Sequence, residues 1–282
     1  MNILIIGGTS SVGKALKNSL DLRHSLETAG RNNCDIQLDL KDSIDDMVLP
    51  LNLDAVVIVA AHFGGKSGKD IFEAENVNVL GTLKVCQAAF NAKAKHIVLV
   101  SSIFALLENT ASNYSAYSLS KKHSEEITEL FCDTYKVPLT IIRPSQIYGN
   151  IDNFNLRQPF LNMILDKAQK GLEINIYGEH DAKFNLIHID DLVNIITHVI
   201  EKNILGKYSC TNPEDVSYTQ FAKIAYKINN HKDRIVFLPE HKDIDDNLFD
   251  YKSALFDKIK YHPKISLQEG IRRMYNFRKT LA

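Results

Sequence analysis

Residues 2–13 of the chain read Asn-Ile-Leu-Ile-Ile-Gly-Gly-Thr-Ser-Ser-Val-Gly, an apolar run that leads directly into a glycine-rich turn. The apolar run is typical of a buried β-strand, and residues 12–22 have the spacing of an amphipathic helix. Glycines let the backbone turn sharply and approach a pyrophosphate, and a helix N-terminus offers unpaired N–H groups with a partial positive charge. This strand–turn–helix unit predicts a nucleotide-binding loop. Its expected contacts are Gly7, Thr9, Ser10, Ser11, Val12 and Gly13, with Ser10 in the place of the usual middle glycine.

The rest of the first 150 residues repeats this unit. Uninterrupted apolar runs, typical of strands covered on both faces, alternate with stretches of helical spacing. Such alternation indicates βαβ units and a parallel sheet. We predict an α/β protein with a doubly wound parallel sheet over residues 1–150 and a smaller, less regular part over residues 151–282. The further strands are predicted near residues 25–29, 35–40, 54–61, 96–100 and 139–142, and the longest helices near 76–90 and 115–135.

The composition excludes several functional classes. The chain has 282 residues, of which 45% are hydrophobic and 24% charged, and its formal net charge is −1. This balance provides no positive field for a nucleic acid or an anionic membrane, and no apolar run approaches the roughly 20 residues that span a bilayer. The four cysteines have no CxxC spacing, which is typical of free thiols in a reducing compartment. We therefore expect a cytoplasmic protein with no targeting peptide and no metal site.

One charged residue stands where the ribose of the nucleotide is recognised in such folds. An acidic residue at the end of the second strand bonds the 2′-hydroxyl of NAD(H), whereas an arginine accommodates the 2′-phosphate of NADP(H). Arg31 follows the predicted second strand, 24 residues after Gly7. The sequence therefore favours NADP(H), with NAD(H) as the alternative if Arg31 is only a solvated surface residue. Asp39 is a candidate adenine contact, and its neighbour Leu40 is a further candidate cofactor contact.

Tyr117 and Lys121 form a second chemical signature. At positions i and i+4 of a helix, the two side chains share one face. A tyrosine hydroxyl has a pKa of about 10, and a neighbouring ammonium favours its ionised form, so such a pair exchanges protons with a hydroxyl or carbonyl. Ser102 follows a predicted strand at the edge of the sheet where substrates bind, and its hydroxyl is placed to polarise the same oxygen. If Tyr117 and Lys121 did not lie near this edge of the sheet, they would be interpreted as an ordinary exposed pair on a helix.

An ordered series of motifs runs over nearly the whole chain. After the glycine loop come Ala60-Ala61-His62, Asn78-Val79-Leu80-Gly81-Thr82, Val100-Ser101-Ser102, Tyr117-Ser118-Leu119-Ser120-Lys121 with Glu125, the arginine–proline segment Ile141–Gly149, Ile176-Tyr177-Gly178, Ile187–Leu192 and Tyr261–Ile271. With these motifs the chain resembles the extended short-chain dehydrogenases/reductases of the NAD-dependent epimerase/dehydratase family, whose members modify nucleotide sugars.

The resemblance implies a Rossmann domain for the nicotinamide cofactor and a smaller C-terminal α/β domain for the substrate, with segments near residues 180–210 packing back on the sheet. It implies a catalytic triad in which Tyr117 exchanges a proton, Lys121 bonds the nicotinamide ribose and Ser102 holds the substrate oxygen. It also implies a homodimer formed by the helices at 76–90 and 115–135, the alternative being helices packed wholly within one monomer. Further cofactor contacts are implied at Ala60, Ala61, Pro144 and Ile147.

Departures from the family pattern reduce the number of reactions that the chain is expected to catalyse. Ser102 is followed by Ile103 and Phe104, where similar dehydratases have an Asp-Glu pair and similar 3,5-epimerases have a cysteine two residues after the serine. Reduction of a 4-keto group and 4-epimerisation need only the triad and the cofactor, so both stay open. The compact length and Arg31 favour the reductase over the epimerase, and a non-catalytic NADP or sugar-nucleotide sensor is a third interpretation. Lys183, in place of the family's frequent arginine, is the candidate contact for a nucleotide diphosphate.

Overall fold

The computed structural model describes residues 1–21, 23–152, 154–249 and 253–281. Leu22, the end of the predicted first helix, lies outside this range. The backbone divides into two compact units. The first unit comprises Met1–Ser145, Leu192–Cys210 and Lys252–His262, and the second comprises Gln146–Asp191, Thr211–Tyr251 and Pro263–Ala282.

The regular elements are numbered in chain order. The strands are β1 (Asn2–Ile6), β2 (Ser25–Gly30), β3 (Ile36–Gln37), β4 (Ala55–Ile58), β5 (Ile97–Val100), β6 (Leu139–Pro144), β7 (Gln146–Tyr148), β8 (Ile174–Tyr177), β9 (Lys183–His188), β10 (Gly206–Cys210), β11 (Asp215–Ser217) and β12 (Ile235–Leu238). The α-helices are α1 (Ser11–Leu20), α2 (Gly68–Glu75), α3 (Gly81–Asn91), α4 (Ala116–Tyr135), α5 (Phe154–Arg157), α6 (Pro159–Gln169), α7 (Ile189–Glu201), α8 (Tyr218–Ile228), α9 (Leu255–Ile259) and α10 (Leu267–Leu281).

The first unit is built on a seven-stranded sheet with the order β10-β6-β5-β4-β1-β2-β3. Every neighbouring pair in this sheet is parallel. β4 and β5 are buried at every residue, as expected for strands covered by helices on both faces. The predicted α/β fold with a doubly wound parallel sheet is therefore confirmed. The strand order reverses between β1 and β4, and sheets of this kind bind ligands at the carboxyl ends of the strands beside such a switch point.

Two predicted strands are wrong in extent. The predicted strand at 35–40 shortens to the two residues of β3. The carboxylate of Asp35 accepts hydrogen bonds from the amide and the hydroxyl of Thr28, at 2.8 and 2.7 Å, and so turns the chain before β3. The predicted strand at 54–61 shortens to β4, because the amides of Val59 and Ala60 both donate to the Ile6 carbonyl and end the ladder.

The helical segment predicted at 76–90 is more complex than expected. It begins as a π-helical turn over Asn76–Leu80 and continues as α3. α2 precedes it and was not predicted, because its polar first turn hides the helical period. A signal was present in the sequence, since Ser67 and Asp70 form a capping box at the start of α2. In the described part of the chain, no helix is long and apolar enough to cross a membrane.

The second unit contains a three-stranded sheet with the order β11-β9-β7 and a parallel pair of β8 and β12. Its core includes the fully buried rings of Tyr148, Phe184, Phe221 and Tyr226. The unit begins at Gln146 and not at residue 151, because β7 pairs with β9 in this unit. The division assigns residues 192–210, which lie within the stretch expected to pack back on the sheet, and also residues 252–262 to the first unit.

Candidate active site

The loop between β1 and α1 is held by backbone hydrogen bonds to β2 and within the loop itself. The Gly7 amide donates to the Ala29 carbonyl on β2 at 2.7 Å, and the Ser10 amide donates to the Gly7 carbonyl at 2.9 Å. Ser10 is the N-cap of α1, and its Oγ accepts from the Gly13 amide at 3.0 Å. Its φ of −68° is accessible to any residue. The serine in place of a middle glycine is therefore accommodated without strain, and it fixes the start of the helix.

Two glycines of the loop are required by close packing. Gly7 has a φ of +96°, and a Cβ on it would lie 2.7 Å from the Ala60 amide nitrogen. A Cβ on Gly13 would lie 2.3 Å from the Gly7 carbonyl oxygen. The first turn of α1 thus approaches the end of β1 with no side chain between them, and the amides of a first helical turn have no intrahelical partner. Bare backbone beside a helix N-terminus fits the pyrophosphate of a dinucleotide.

The residues expected to contact the adenosine follow β2 and β3. Arg31 is exposed directly after β2. Asp39 lies in a turn after β3, where its carboxylate accepts from the Lys41 amide at 3.1 Å. Leu40 is buried, and a Cβ on Gly81 would lie 2.7 Å from its Cβ. Because parallel strands end at the same edge of a sheet, Arg31 and Asp39 lie on the edge that carries the glycine loop.

The end of β4 is held by a buried amide that sequence reasoning did not place in the site. Ala60 and Ala61 follow β4 half-buried, and His62 comes next. Asn78 is 1% exposed; its Oδ1 accepts from the His62 amide at 2.7 Å, and its Nδ2 donates to the His62 carbonyl at 2.8 Å. The signal was an asparagine between two valines in a helical segment, and π-helical turns such as the one carrying Asn78 often occur at functional sites.

The residues of the expected triad come from the carboxyl end of β5 and from the first two turns of α4. Ser102 follows this strand, is 7% exposed and caps the 3₁₀ turn Ile103–Leu106, with its Oγ accepting from the Phe104 amide at 3.2 Å. Tyr117 lies in the first turn of α4, and Lys121 lies one turn later. The Lys121 Nζ is 5.9 Å from the Tyr117 ring centroid and donates to the Val100 carbonyl at 3.1 Å. Lys121 therefore connects the tyrosine helix to the strand end that carries the serine.

A buried ionic network lies behind Lys121. Burial lowers the pKa of Lys121 to about 8, and the neighbouring Glu125 carboxylate acts in the opposite direction. Glu125 accepts a hydrogen bond from the Ser101 hydroxyl, and both of its oxygens accept from the Arg143 Nε, at 2.9 and 3.0 Å. Ser101, Glu125 and Arg143 stood in the motifs of the sequence, but their joint role as a carboxylate network was not predicted.

The remaining candidate residues lie at the end of β6 and in the second unit. Pro144 ends β6, where it is buried opposite Cys210 on β10. In the second unit, Ile147 is half-buried on β7 and pairs with Ile187 on β9. Lys183 is the exposed first residue of β9, and its amide donates to an Asp246 carboxylate oxygen at 2.7 Å.

Comparisons with known proteins agree with this fold and with the motifs. The model of the NAD dependent epimerase/dehydratase family matches residues 3–209. A putative UDP-glucose 4-epimerase from Methanocaldococcus jannaschii is 24% identical over 98% of both chains. A dTDP-4-dehydro-6-deoxy-D-allose reductase from Streptomyces bikiniensis is 26% identical over 43% of this chain and 37% of the reductase. The structure of RMD from Pseudomonas aeruginosa complexed with NADPH has a TM-score of 0.80 at 17% identity, covering 100% of this chain and 98% of that chain.

The family model covers most of the chain, and it includes the glycine loop, the Tyr117–Lys121 pair and the arginine–proline segment. The resemblance carried by these motifs is therefore confirmed. The protein belongs to the NAD dependent epimerase/dehydratase family, a family of enzymes that modify nucleotide sugars with a nicotinamide cofactor.

Proposed function

We propose that this protein uses NADPH to reduce the 4-keto group of a nucleotide-linked sugar. The observation that carries the proposal is the buried Lys121 ammonium beside the Tyr117 ring, at the strand end that Ser102 follows. A proton donor, a charge that favours its ionised form and a hydroxyl for the carbonyl oxygen are what ketone reduction requires of the protein.

Each member of the triad has one task in this proposal. The Tyr117 hydroxyl gives its proton to the carbonyl oxygen of the sugar, and the Ser102 hydroxyl donates a hydrogen bond to the same oxygen. Lys121 stabilises the resulting phenolate and bonds the ribose next to the nicotinamide. The bound nicotinamide supplies the hydride that adds to the carbonyl carbon. Proton and hydride together convert the ketone into the alcohol.

The surroundings of Ser102 support reduction over dehydration. Elimination of water across two carbons needs an additional acid and base near the sugar. The residues that follow Ser102 are apolar, and Ile103 is buried at 1% exposure. Ile103 and Phe104 carry no group that transfers protons, so the simpler chemistry of the triad is favoured.

NADPH is the cofactor that we propose, with NADH as the alternative. Arg31 provides an exposed guanidinium directly after β2, where a 2′-phosphate is accommodated in doubly wound folds. The loop residues Gly7, Thr9, Ser10, Ser11, Val12 and Gly13 would hold the pyrophosphate. Asp39 and Leu40 would contact the adenosine, and Ala60, Ala61, Pro144 and Ile147 would line the rest of the cofactor.

For the substrate, we propose a nucleotide sugar bound by the second unit. Lys183 offers an exposed ammonium at the start of β9, which would meet a phosphate as a point charge and not as a bidentate fork. The two relatives are named for UDP-glucose and for a dTDP-linked 4-dehydro sugar. These names support a nucleoside diphosphate sugar as the class of substrate.

The second candidate function is 4-epimerisation. The similarity to the Methanocaldococcus protein, a putative UDP-glucose 4-epimerase, extends over 98% of this chain. An epimerase oxidises and re-reduces the same carbon, so it retains its cofactor and consumes none. A non-catalytic sensor is less well supported, because Tyr117 and Lys121 are both present and adjacent.

We also propose that the enzyme is a cytoplasmic homodimer. Large apolar side chains are exposed on the helical segment that begins at Asn76 and on α4, including Leu80 at 54% and Leu130 at 62%. Helix faces of this kind are covered when two copies pair. The cytoplasmic location is supported by Cys34, Cys86, Cys132 and Cys210, which form no disulfide among the described residues.

The test begins with the cofactor that copurifies with the full chain, identified after denaturation together with its redox state. NADPH oxidation is then followed with UDP- and dTDP-linked 4-keto sugars. We expect one NADPH consumed for each sugar alcohol formed. Tightly held NAD with interconversion of C4 epimers and no net consumption would establish the epimerase and contradict our proposal.

A further inference from the structure

An exposed aromatic ring covers part of the proposed proton donor. The rings of Phe63 and Tyr117 are stacked, with centroids 5.1 Å apart and planes inclined by 15°. Phe63 is nevertheless 54% exposed. Its stacking partner, Tyr117, is the proton donor of the proposed reaction. The contact therefore indicates that Phe63 helps to position Tyr117.

The segment that carries this ring, residues 61–65, is here called the Phe63 loop. Its backbone is fixed on both sides of Phe63. Asn78 bonds both the amide and the carbonyl of His62, and the Gly64 amide donates to the His62 Nδ1 at 2.9 Å. Gly64 has a φ of +69°, a conformation that side chains other than glycine rarely adopt. The loop therefore presents the ring from a restrained backbone.

The same asparagine ties the Phe63 loop to the turn of α4 that carries the tyrosine. The Asn78 Nδ2 also donates to the Ser120 Oγ at 2.9 Å, and the Ser120 hydroxyl donates to the Tyr117 carbonyl at 3.0 Å. On the other side, a Cβ on Gly64 would lie 3.3 Å from the Tyr117 amide nitrogen. Loop and helix are thus linked through Asn78 and packed together at Gly64, which sets the separation of the two rings.

We propose that Phe63 is a positioning residue for Tyr117. The stacked ring restricts rotation of the phenol and shields one of its faces from water, so that the hydroxyl is held ready for the substrate carbonyl. Reaction rates are sensitive to small displacements of a catalytic group, so even a modest restraint on the ring has a kinetic effect. This inference rests on the proposed function, because it takes Tyr117 as the proton donor.

The kinetic test compares Phe63→Ala with Phe63→Tyr, which keeps a stacking ring, and with Phe72→Ala, which removes another exposed phenylalanine on α2. We expect Phe63→Ala to lower kcat about two- to tenfold, which is the rate effect that corresponds to the interaction energy of one aromatic pair. The KM values for the nucleotide sugar and for NADPH should change little. Phe63→Tyr should restore kcat, and Phe72→Ala should match the parent. An unchanged kcat in Phe63→Ala, an effect on the sugar KM alone, or an equal loss in Phe72→Ala overturns the proposal.

A second readout does not depend on the reaction. In protein labelled with 3-fluorotyrosine, the ¹⁹F resonance of Tyr117 is assigned by its loss in Tyr117→Phe. We expect Phe63→Ala to shift this resonance, because the ring above it is gone, while Phe72→Ala leaves it in place. An unmoved resonance contradicts the role of Phe63, whatever the parent enzyme reduces. A parent that consumes no NADPH refutes the proposed function instead, and the resonance then decides the stacking by itself.

Discussion

Lys121 shows how one residue depends on its surroundings. The residue is 3% exposed, and its ammonium bonds the Val100 carbonyl. Burial disfavours the charged form and lowers the pKa to about 8, whereas the Glu125 carboxylate favours it. A lysine is charged below its pKa, so Lys121 carries its charge at neutral pH and loses it in mildly alkaline solution. The proposed roles of Lys121 require that charge.

We therefore expect kcat/KM for NADPH to fall as the pH rises through about 8, because this quantity reports groups of the free enzyme. In Glu125→Gln the favourable charge is lost, and the fall should move to lower pH. The matched control is Glu126→Gln, which changes the exposed neighbour on α4. Profiles between pH 6 and 10, recorded on variants that melt cooperatively, test this. An alkaline limb that Glu125→Gln leaves in place would contradict the role of the carboxylate.

Arg31 sets the expected choice between the two cofactors. Its charge is exposed after β2 and is offered to a 2′-phosphate that only NADPH carries. We expect Arg31→Asp to raise the KM for NADPH by about tenfold or more, since an attraction becomes a repulsion, and to lower the KM for NADH, since an acidic residue at this position bonds the 2′-hydroxyl. Arg31→Lys keeps the charge and should retain most of the preference. Equal Michaelis constants for both cofactors in the parent enzyme would disprove the assignment.

Among the elements, α1 begins at a cap that is also part of the glycine-rich loop. The Ser10 Oγ holds the Gly13 amide, and the helix starts there. We expect Ser10→Ala to lower the free energy of unfolding by about 1 kcal/mol and Ser10→Gly by only a few tenths. Ser19→Ala, within the same helix, should be neutral or slightly stabilising. Denaturant unfolding of the four proteins measures this, and a Ser10→Ala variant as stable as the parent would show that the cap contributes nothing.

At the scale of the whole molecule, the proposed dimer depends on apolar helix faces. A glutamate at Leu80 or Leu130 would place a charge in a face that a second copy must cover, so we expect the double variant Leu80→Glu/Leu130→Glu to be monomeric. Leu51→Glu alters a comparably exposed leucine outside these helices and should leave the dimer intact. Sedimentation velocity at micromolar concentration distinguishes the two forms. A monomeric parent would refute the dimer.

The features of the fold and the site that depend on local sequence pattern could be predicted. The apolar runs of β1, β4 and β5 predicted the parallel sheet, and the spacing of Tyr117 and Lys121 predicted their shared helix face. Turn chemistry was harder to predict, since the bonds that shorten β3 join Asp35 to Thr28 on β2, seven residues earlier in the chain.

The contacts that complete the site could not be predicted from local pattern. Asn78 meets Ser120 across 42 residues of chain, and Phe63 reaches Tyr117 from a different loop. Such pairs form only when βαβ units place distant segments at one edge of the sheet. The hydrophobic periodicity of one segment does not indicate which distant residue it will contact. The same holds for Glu125 and Arg143, which meet between α4 and β6.

The most direct measurement is the rate of NADPH oxidation by Tyr117→Phe with a 4-keto nucleotide sugar. Removal of one hydroxyl should lower kcat by about 10²–10⁴-fold, the usual contribution of a positioned proton donor, while the affinity for NADPH is retained. Tyr135→Phe, at the exposed end of the same helix, should behave as the parent does. If Tyr117→Phe reduces the sugar as fast as the parent enzyme, Tyr117 is not the proton donor and the proposed mechanism is wrong.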